Sequence, residues 1–156
     1  METVAIRVLL VDDDAEDLTI VRKLLRRAQG LEVEMSTATS YGDAVTLLER
    51  SSFDLHLVDV VLGDKSGLDL VRWIRQRDRD VPIILLTNMD RPEQDLEALR
   101  EGASDYLPKS RLSTAELQRA IHHARERAAG VRRLRASEER YALAVEGASE
   151  IGRAHV

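Results

Sequence analysis

Apolar and polar positions alternate in blocks along the chain. Five apolar runs stand out: Val4–Val11, Val33–Ala38, Leu55–Leu62, Val81–Leu86 and the short Asp105–Pro108. Most are rich in Val, Ile and Leu and show little alternation, the pattern of strands buried on both faces. Segments of helical period lie between them. Leu18, Val21, Leu25 and Ala28 share one face, with Gly30 as a stop signal. Ser40 and Asp43 have capping-box spacing ahead of Ala44, Leu47 and Leu48. Leu68, Val71 and Ile74 form a third stripe. Leu96 and Leu99, closed by Gly102, form a fourth. Ser113 and Glu116 repeat the capping box, with Leu112 and Leu117 at staple spacing around it. Strand and helix thus alternate five times, which predicts a doubly wound α/β fold: a parallel five-stranded sheet with helices on both faces and an extended C-terminal helix.

Composition narrows the class. At 156 residues, with 44% hydrophobic and 33% charged, the chain can build a real core without staples. No cysteine is present, which removes disulfides, thiolate metal sites and a cysteine nucleophile. No run is long enough for a signal peptide or a membrane span, and the expected location is the cytoplasm. Residues 1–112 hold 22 acids and 15 bases, a net of -7, whereas residues 113–149 hold 7 bases and 5 acids, a net of +2. The acidic part does not suit a nucleic-acid surface, and no recognition motif accompanies the basic part.

In such sheets the functional site lies beyond the carboxyl ends of the strands. The residues at those ends are Asp12, Asp13, Asp59, Thr87 and Lys109. Like charges about 4 Å apart repel by about 4 kcal/mol at an effective dielectric of ~20, so three converging carboxylates call for a dication. Hard oxygen donors without His or Cys point to Mg2+. Lys109 adds a fixed positive charge and Thr87 a hydroxyl donor. Both suit the oxygens of a phosphoryl group in transfer, with a carboxylate as nucleophile.

Val11-Asp12-Asp13, Asp59 with Gly67 eight residues on, Thr87 after four apolar residues, and Lys109 after Tyr106 together resemble the receiver domains of two-component response regulators. The resemblance covers about residues 4–128 and implies a flavodoxin-like sheet of strand order 2-1-3-4-5. It implies that Asp59 accepts a phosphoryl group from a sensor histidine kinase or a histidine phosphotransfer protein. It also implies that Asp13, Asp59 and the Val61 carbonyl ligate Mg2+, that Asp12 assists through water, and that Thr87 and Lys109 grip the phosphoryl oxygens. Tyr106 resembles the aromatic switch residue that follows Thr87. The chain departs from the family pattern at Leu62 and Gly63, where Met-Pro is frequent, at Asn88, where a small residue is preferred, and at Ser110, where a proline after a cis peptide is usual.

Other polar residues read as structural. Asp14 precedes a helix and is expected to cap it. Asp64 and Lys65 suit a solvated turn, and His122 and His123 an exposed helix face. Two other functions fit part of the pattern. A haloacid-dehalogenase-like phosphatase would use Asp12 and Asp14, but it needs a later acidic pair and no Asp follows Lys109. A pseudo-receiver would only bind partners.

The tail reads as helix. Leu117, Ile121, Ala124, Ala128 and Val131 follow a heptad seam, with Leu134 and Tyr141 on a shifted one and Gly130 as a possible break. Unbroken to Glu146, this helix would be roughly 50 Å long, and its stripe predicts a homodimer. Residues 129–149 are read as a linker whose part from Leu134 resembles the opening helix of a PAS domain. Residues 150–156 are read as a non-native tail, because a common sequencing-library adapter encodes Ile151–Val156. The coding DNA tests that reading. No nucleic acid and no membrane are expected as partners.

Overall fold

A computed structural model describes residues 3–88, 97 and 100–154, with the backbone path alone beyond residue 145. Strands β1 (Val4–Val11), β2 (Leu31–Ala38), β3 (Leu55–Asp59), β6 (Ile83–Thr87) and β7 (Asp105–Pro108) form one sheet in the order β2-β1-β3-β6-β7. All four pairings are parallel. Strands β4 (Val61–Leu62) and β5 (Lys65–Ser66) form a separate antiparallel hairpin.

The helices are α1 (Ala15–Arg26), α2 (Tyr41–Arg50), α3 (Gly67–Arg77) and α4 (Thr114–Ala154), and residues 109–111 form a 3-10 turn. The expected helix around Leu96 and Leu99 lies outside the described residues. The Asp14 carboxylate caps α1 by accepting from the Glu16 amide. At α2 the Ser40 hydroxyl accepts from the Asp43 amide, while Asp43 accepts from the Thr39 hydroxyl rather than completing a box. The full capping box stands at α3, between Ser66 and Asp69.

Both sheet faces are covered, which is why the strands lack a polar face. Leu9, Val11, Val58, Ile83 and Leu85 pack with Leu70, Val71 and Ile74 of α3. Val8, Leu10, Leu55, Leu57, Ile84 and Leu86 pack with Val21 and Leu25 of α1 and with Leu117 and Ile121 of α4. Successive residues of one strand therefore serve opposite layers.

Several expected boundaries move. β2 starts at Leu31, because Val4 and Ala5 pair with Leu31 and Glu32. β6 starts at Ile83 rather than Val81, whose carbonyl instead accepts from Arg75. β3 ends at Asp59 instead of Leu62. The chain then turns into the β4–β5 hairpin through Gly63, whose φ of 64° no β-branched residue adopts comfortably. Helix α4 runs unbroken through Gly130.

The first half of the expected heptad seam is buried within the domain itself. Leu117, Ile121 and Ala124 are buried against the domain's own sheet and α1, and Ala128 is buried too, so none of them is offered to a second chain. Exposed apolar side chains begin only at Val131 and continue with Leu134, Tyr141, Leu143 and Val145.

The edge of the sheet remote from Asp59 is tied by arginines. Arg75 donates to the carbonyls of Gly102 (2.6 Å), Val81 (2.6 Å) and Asp78 (3.3 Å) and to the Ser104 hydroxyl (3.3 Å). On α4, Arg132 lies 4.0 Å from Asp78. Arg135 lies 2.5 Å from Asp80 Oδ1, an ion pair by distance though not aligned as a hydrogen bond.

Candidate functional site

Four strand ends meet at the opposite edge. Asp12 follows β1, and its amide donates to the Ala38 carbonyl at the end of β2. Asp59 closes β3, Thr87 closes β6 beside Pro108, and Lys109 follows β7. Asp12, Asp59 and Thr87 are buried, at 0%, 2% and 3% exposure, in a chain whose other buried polar residue is His56 among those described. Three polar groups withheld from water at one sheet edge need partners there.

Lys109 supplies most of them. Its ammonium lies 2.6 Å from Asp17 Oδ2, 2.9 Å from Asp12 Oδ2 and 2.9 Å from Asp59 Oδ2. The remaining carboxylate oxygens take backbone donors: Asp12 Oδ1 accepts from the Asp14 amide at 2.9 Å and Asp59 Oδ1 from the Val61 amide at 3.2 Å. The Thr87 hydroxyl is buried with no hydrogen-bond partner among the described residues. One carboxylate oxygen from each of Asp12, Asp17 and Asp59 falls within 4.8 Å of the others.

The structure brings Asp12, Asp59 and Lys109 into contact. Asp13 is exposed and stands outside that carboxylate group, and Val61 is exposed in β4. Tyr106 is half-buried against the core layer of α2 and α3. Asp64, Lys65, His122 and His123 are exposed. The peptide between Lys109 and Ser110 is trans, and it opens the 3-10 turn.

Asp17 was absent from the expected set. It lies in the first turn of α1, and side chains there lean back toward the helix N-terminus. A cap at Asp14 therefore placed Asp17 near the end of β1, a signal the sequence did carry. Gly67 has a steric role. A Cβ there would lie 2.1 Å from the Asp59 carbonyl oxygen, and the Gly67 amide donates to the Val60 carbonyl at 2.6 Å.

Burial pushes Asp12 up to about 6, and the Asp59 charge adds to this, while the Asp14 amide and Lys109 oppose it. Burial works against the charge on Lys109, but the hydrogen bonds it donates to Asp17, Asp59 and Asp12 outweigh this and hold the ammonium above the ordinary lysine range.

The family model for the response regulator receiver domain matches residues 8–122. The chain belongs to that family. The receiver is 36% identical over 104 residues to the response regulator protein PilR of Pseudomonas aeruginosa, covering 66% of this chain and 22% of PilR. It is 35% identical over 125 residues to the transcriptional regulatory protein ZraR of Salmonella typhimurium, covering 78% of this chain and 27% of ZraR. The receiver thus spans about a quarter of the length of these curated relatives. A two-component response regulator of the LuxR family from Aurantimonas sp. SI85-9A1 superposes with a TM-score of 0.71 at 31% identity, over 81% of this chain and 87% of that one. The receiver's role is therefore regulatory, within two-component signalling, and neither a phosphatase nor a pseudo-receiver reading is favoured. Receivers of this family generally bind Mg2+ at an acidic pocket. The donors here fit a hard dication: carboxylate oxygens alone, with a buried hydroxyl to spare. Among the described residues, no helix is long and apolar enough to cross a membrane.

The Asp12 shift has a consequence for stability. Its folded pKa lies above the unfolded value of 3.8, so its contribution is fully present below about pH 4 and is lost as pH rises through about 6. His56 is shifted down, chiefly by burial, and acts oppositely: its contribution is present above the ordinary histidine range and is lost as pH falls. Asp12→Asn should therefore stabilise the metal-free receiver above pH 6 by about 1–2 kcal/mol and leave it nearly unchanged near pH 4. Urea unfolding in a chelator across that range checks this; an equal effect at both ends would contradict it.

Proposed function

We propose that the receiver accepts a phosphoryl group on Asp59 from the phosphohistidine of a sensor histidine kinase or histidine phosphotransfer protein. One observation carries this reading: the Lys109 ammonium joins two buried carboxylates from the ends of different strands, near a strand end where the Thr87 hydroxyl is buried without a partner among the described residues. That combination offers a nucleophile together with donors for phosphoryl oxygens.

An Asp59 oxygen attacks phosphorus as the bond from phosphorus to the donor nitrogen breaks. The electron pair returns to the imidazole, which takes up a proton. Lys109 and Thr87 donate to the oxygens that gain charge. Asp12, Asp13, Asp59 and the Val61 carbonyl are the groups that would hold Mg2+. When bound, the ion neutralises carboxylates and phosphoryl oxygens together. Water can later attack the same phosphorus, so the domain catalyses its own phosphorylation and dephosphorylation. Thr87 and Tyr106 form the switch: a threonine drawn to the new oxygens vacates space on the side where Tyr106 packs.

We assign residues 4–128 to the receiver and 129–149 to a helical linker, whose later part resembles a PAS domain's opening helix. Its exposed Val131, Leu134 and Tyr141 suit a homodimer seam. Sedimentation at rising concentration should show a dimer; a monomer throughout would refute the seam.

Intact mass after incubation with acetyl phosphate tests the central reading. One phosphoryl group should add in Mg2+ and none in chelator, and peptide mapping should place it on Asp59. A label elsewhere, or one indifferent to metal, would overturn it.

A further inference from the structure

We infer that Asp17 is a positioning residue that competes with the phosphoryl group for Lys109. This rests on the reading above and adds a restraint that the strand-end residues do not provide.

A lysine ammonium has three N–H donors and no acceptor. In Lys109 all three have carboxylate partners, and the shortest contact, 2.6 Å, is to Asp17. The lysine can bond an added anion only by releasing one of these. The three are not equivalent. Asp12 and Asp59 are buried at strand ends and belong to the proposed metal-binding set. Asp17 sits on helix α1, and its side chain keeps 27% exposure. A dication held by Asp12 and Asp59 would weaken their bonds to the ammonium, and Asp17 would then be its principal carboxylate partner.

Charge points the same way. Four carboxylates, those of Asp12, Asp13, Asp17 and Asp59, and one ammonium carry a net of -3, which a dication would bring to -1. A phosphoryl anion brought into that site adds negative charge beside Asp17. With a neutral side chain at position 17, the metal-loaded site would be neutral, and its lysine would be held less tightly. Asp17 therefore favours the resting, unmodified state, and it acts through Lys109 rather than on the phosphoryl group itself.

The test uses the whole chain, saturating Mg2+ and beryllofluoride, a trigonal anion that mimics a phosphoryl group on a carboxylate. Asp17→Asn keeps the side-chain shape and an acceptor oxygen while removing the charge. It should tighten beryllofluoride binding about tenfold, the scale of one unit charge a few ångströms away in a partly solvated site. Asp17→Glu restores the charge and should bind within about twofold of wild type. In a Lys109→Met background the Asp17→Asn gain should shrink to under about twofold, the coupling expected of residues acting through one contact. A structural role alone would not vanish with the lysine. Unchanged or weaker binding in Asp17→Asn, or a gain that survives Lys109→Met, overturns the inference. If wild type binds no beryllofluoride in Mg2+, or binds it equally well after Asp59→Asn, the phosphoryl-acceptor reading itself fails.

Discussion

Asp59→Asn will abolish acetyl-phosphate labelling while leaving the domain folded. The amide lacks the nucleophilic oxygen, and the neighbouring acids do not replace it. Asp12 is bonded to Lys109 and the Asp14 amide, and Asp17 is spent on Lys109. The fold tolerates the change because an amide oxygen can still accept from the Val61 amide, where Asp59 Oδ1 now does at 3.2 Å. Removing one of three carboxylates around a single ammonium also eases their repulsion in the metal-free state. Intact mass and urea unfolding are the paired measurements. Labelling that persists at an unchanged rate would remove Asp59 from the chemistry. A phosphatase built on Asp12 would retain its turnover in this variant.

The second large effect is steric. Gly67→Ala will destabilise the domain by about 3 kcal/mol, the upper end for overpacking a closed site, and slow labelling by more than about tenfold. The added Cβ would sit 2.1 Å from the Asp59 carbonyl oxygen, 2.9 Å from its carbon and 3.0 Å from the Val60 Cα. All three are backbone atoms, so no side chain can swing away. Relief requires moving the start of α3 or the end of β3, and the latter carries the nucleophile. The capping box of Ser66 and Asp69 and the 2.6 Å bond from the Gly67 amide to Val60 resist the first option. Urea midpoint and labelling rate should fall together. Wild-type stability in this variant would show that α3 yields freely.

The strands were legible because burial on both faces leaves an apolar signature and their carboxyl ends leave a polar one, whereas their order was implied by the resemblance to receiver domains. Asp12, Asp59, Thr87 and Lys109 stood out for that reason. Val61 and Leu62 misled because apolar runs do not show where pairing stops; the turn through Gly63 ends β3, and backbone geometry decides it. Leu31 and Glu32 joined β2 because hydrogen bonding to β1, not hydrophobicity, extends an edge strand. The stripe on α4 was read correctly as periodic but assigned to the wrong surface over Leu117 to Ala128, since a period does not name its partner. Asp17 was hidden by its helix. Its carboxylate reaches the strand ends because side chains in a helical first turn lean back toward the helix N-terminus, a direction that apolar runs do not mark.

Helix α4 passes the strand starts and is fastened there by Arg132 and Arg135 to the two aspartates that precede β6. Beyond Arg135 its backbone runs on to Ala154, about 29 Å at the rise of an α-helix. A rod held near one end turns small rotations into large displacements. A tilt of a few degrees at those arginines would carry the far end by roughly 1–3 Å over that length, so a sub-ångström rearrangement in the globular part can reach whatever the rod touches as a visible swing.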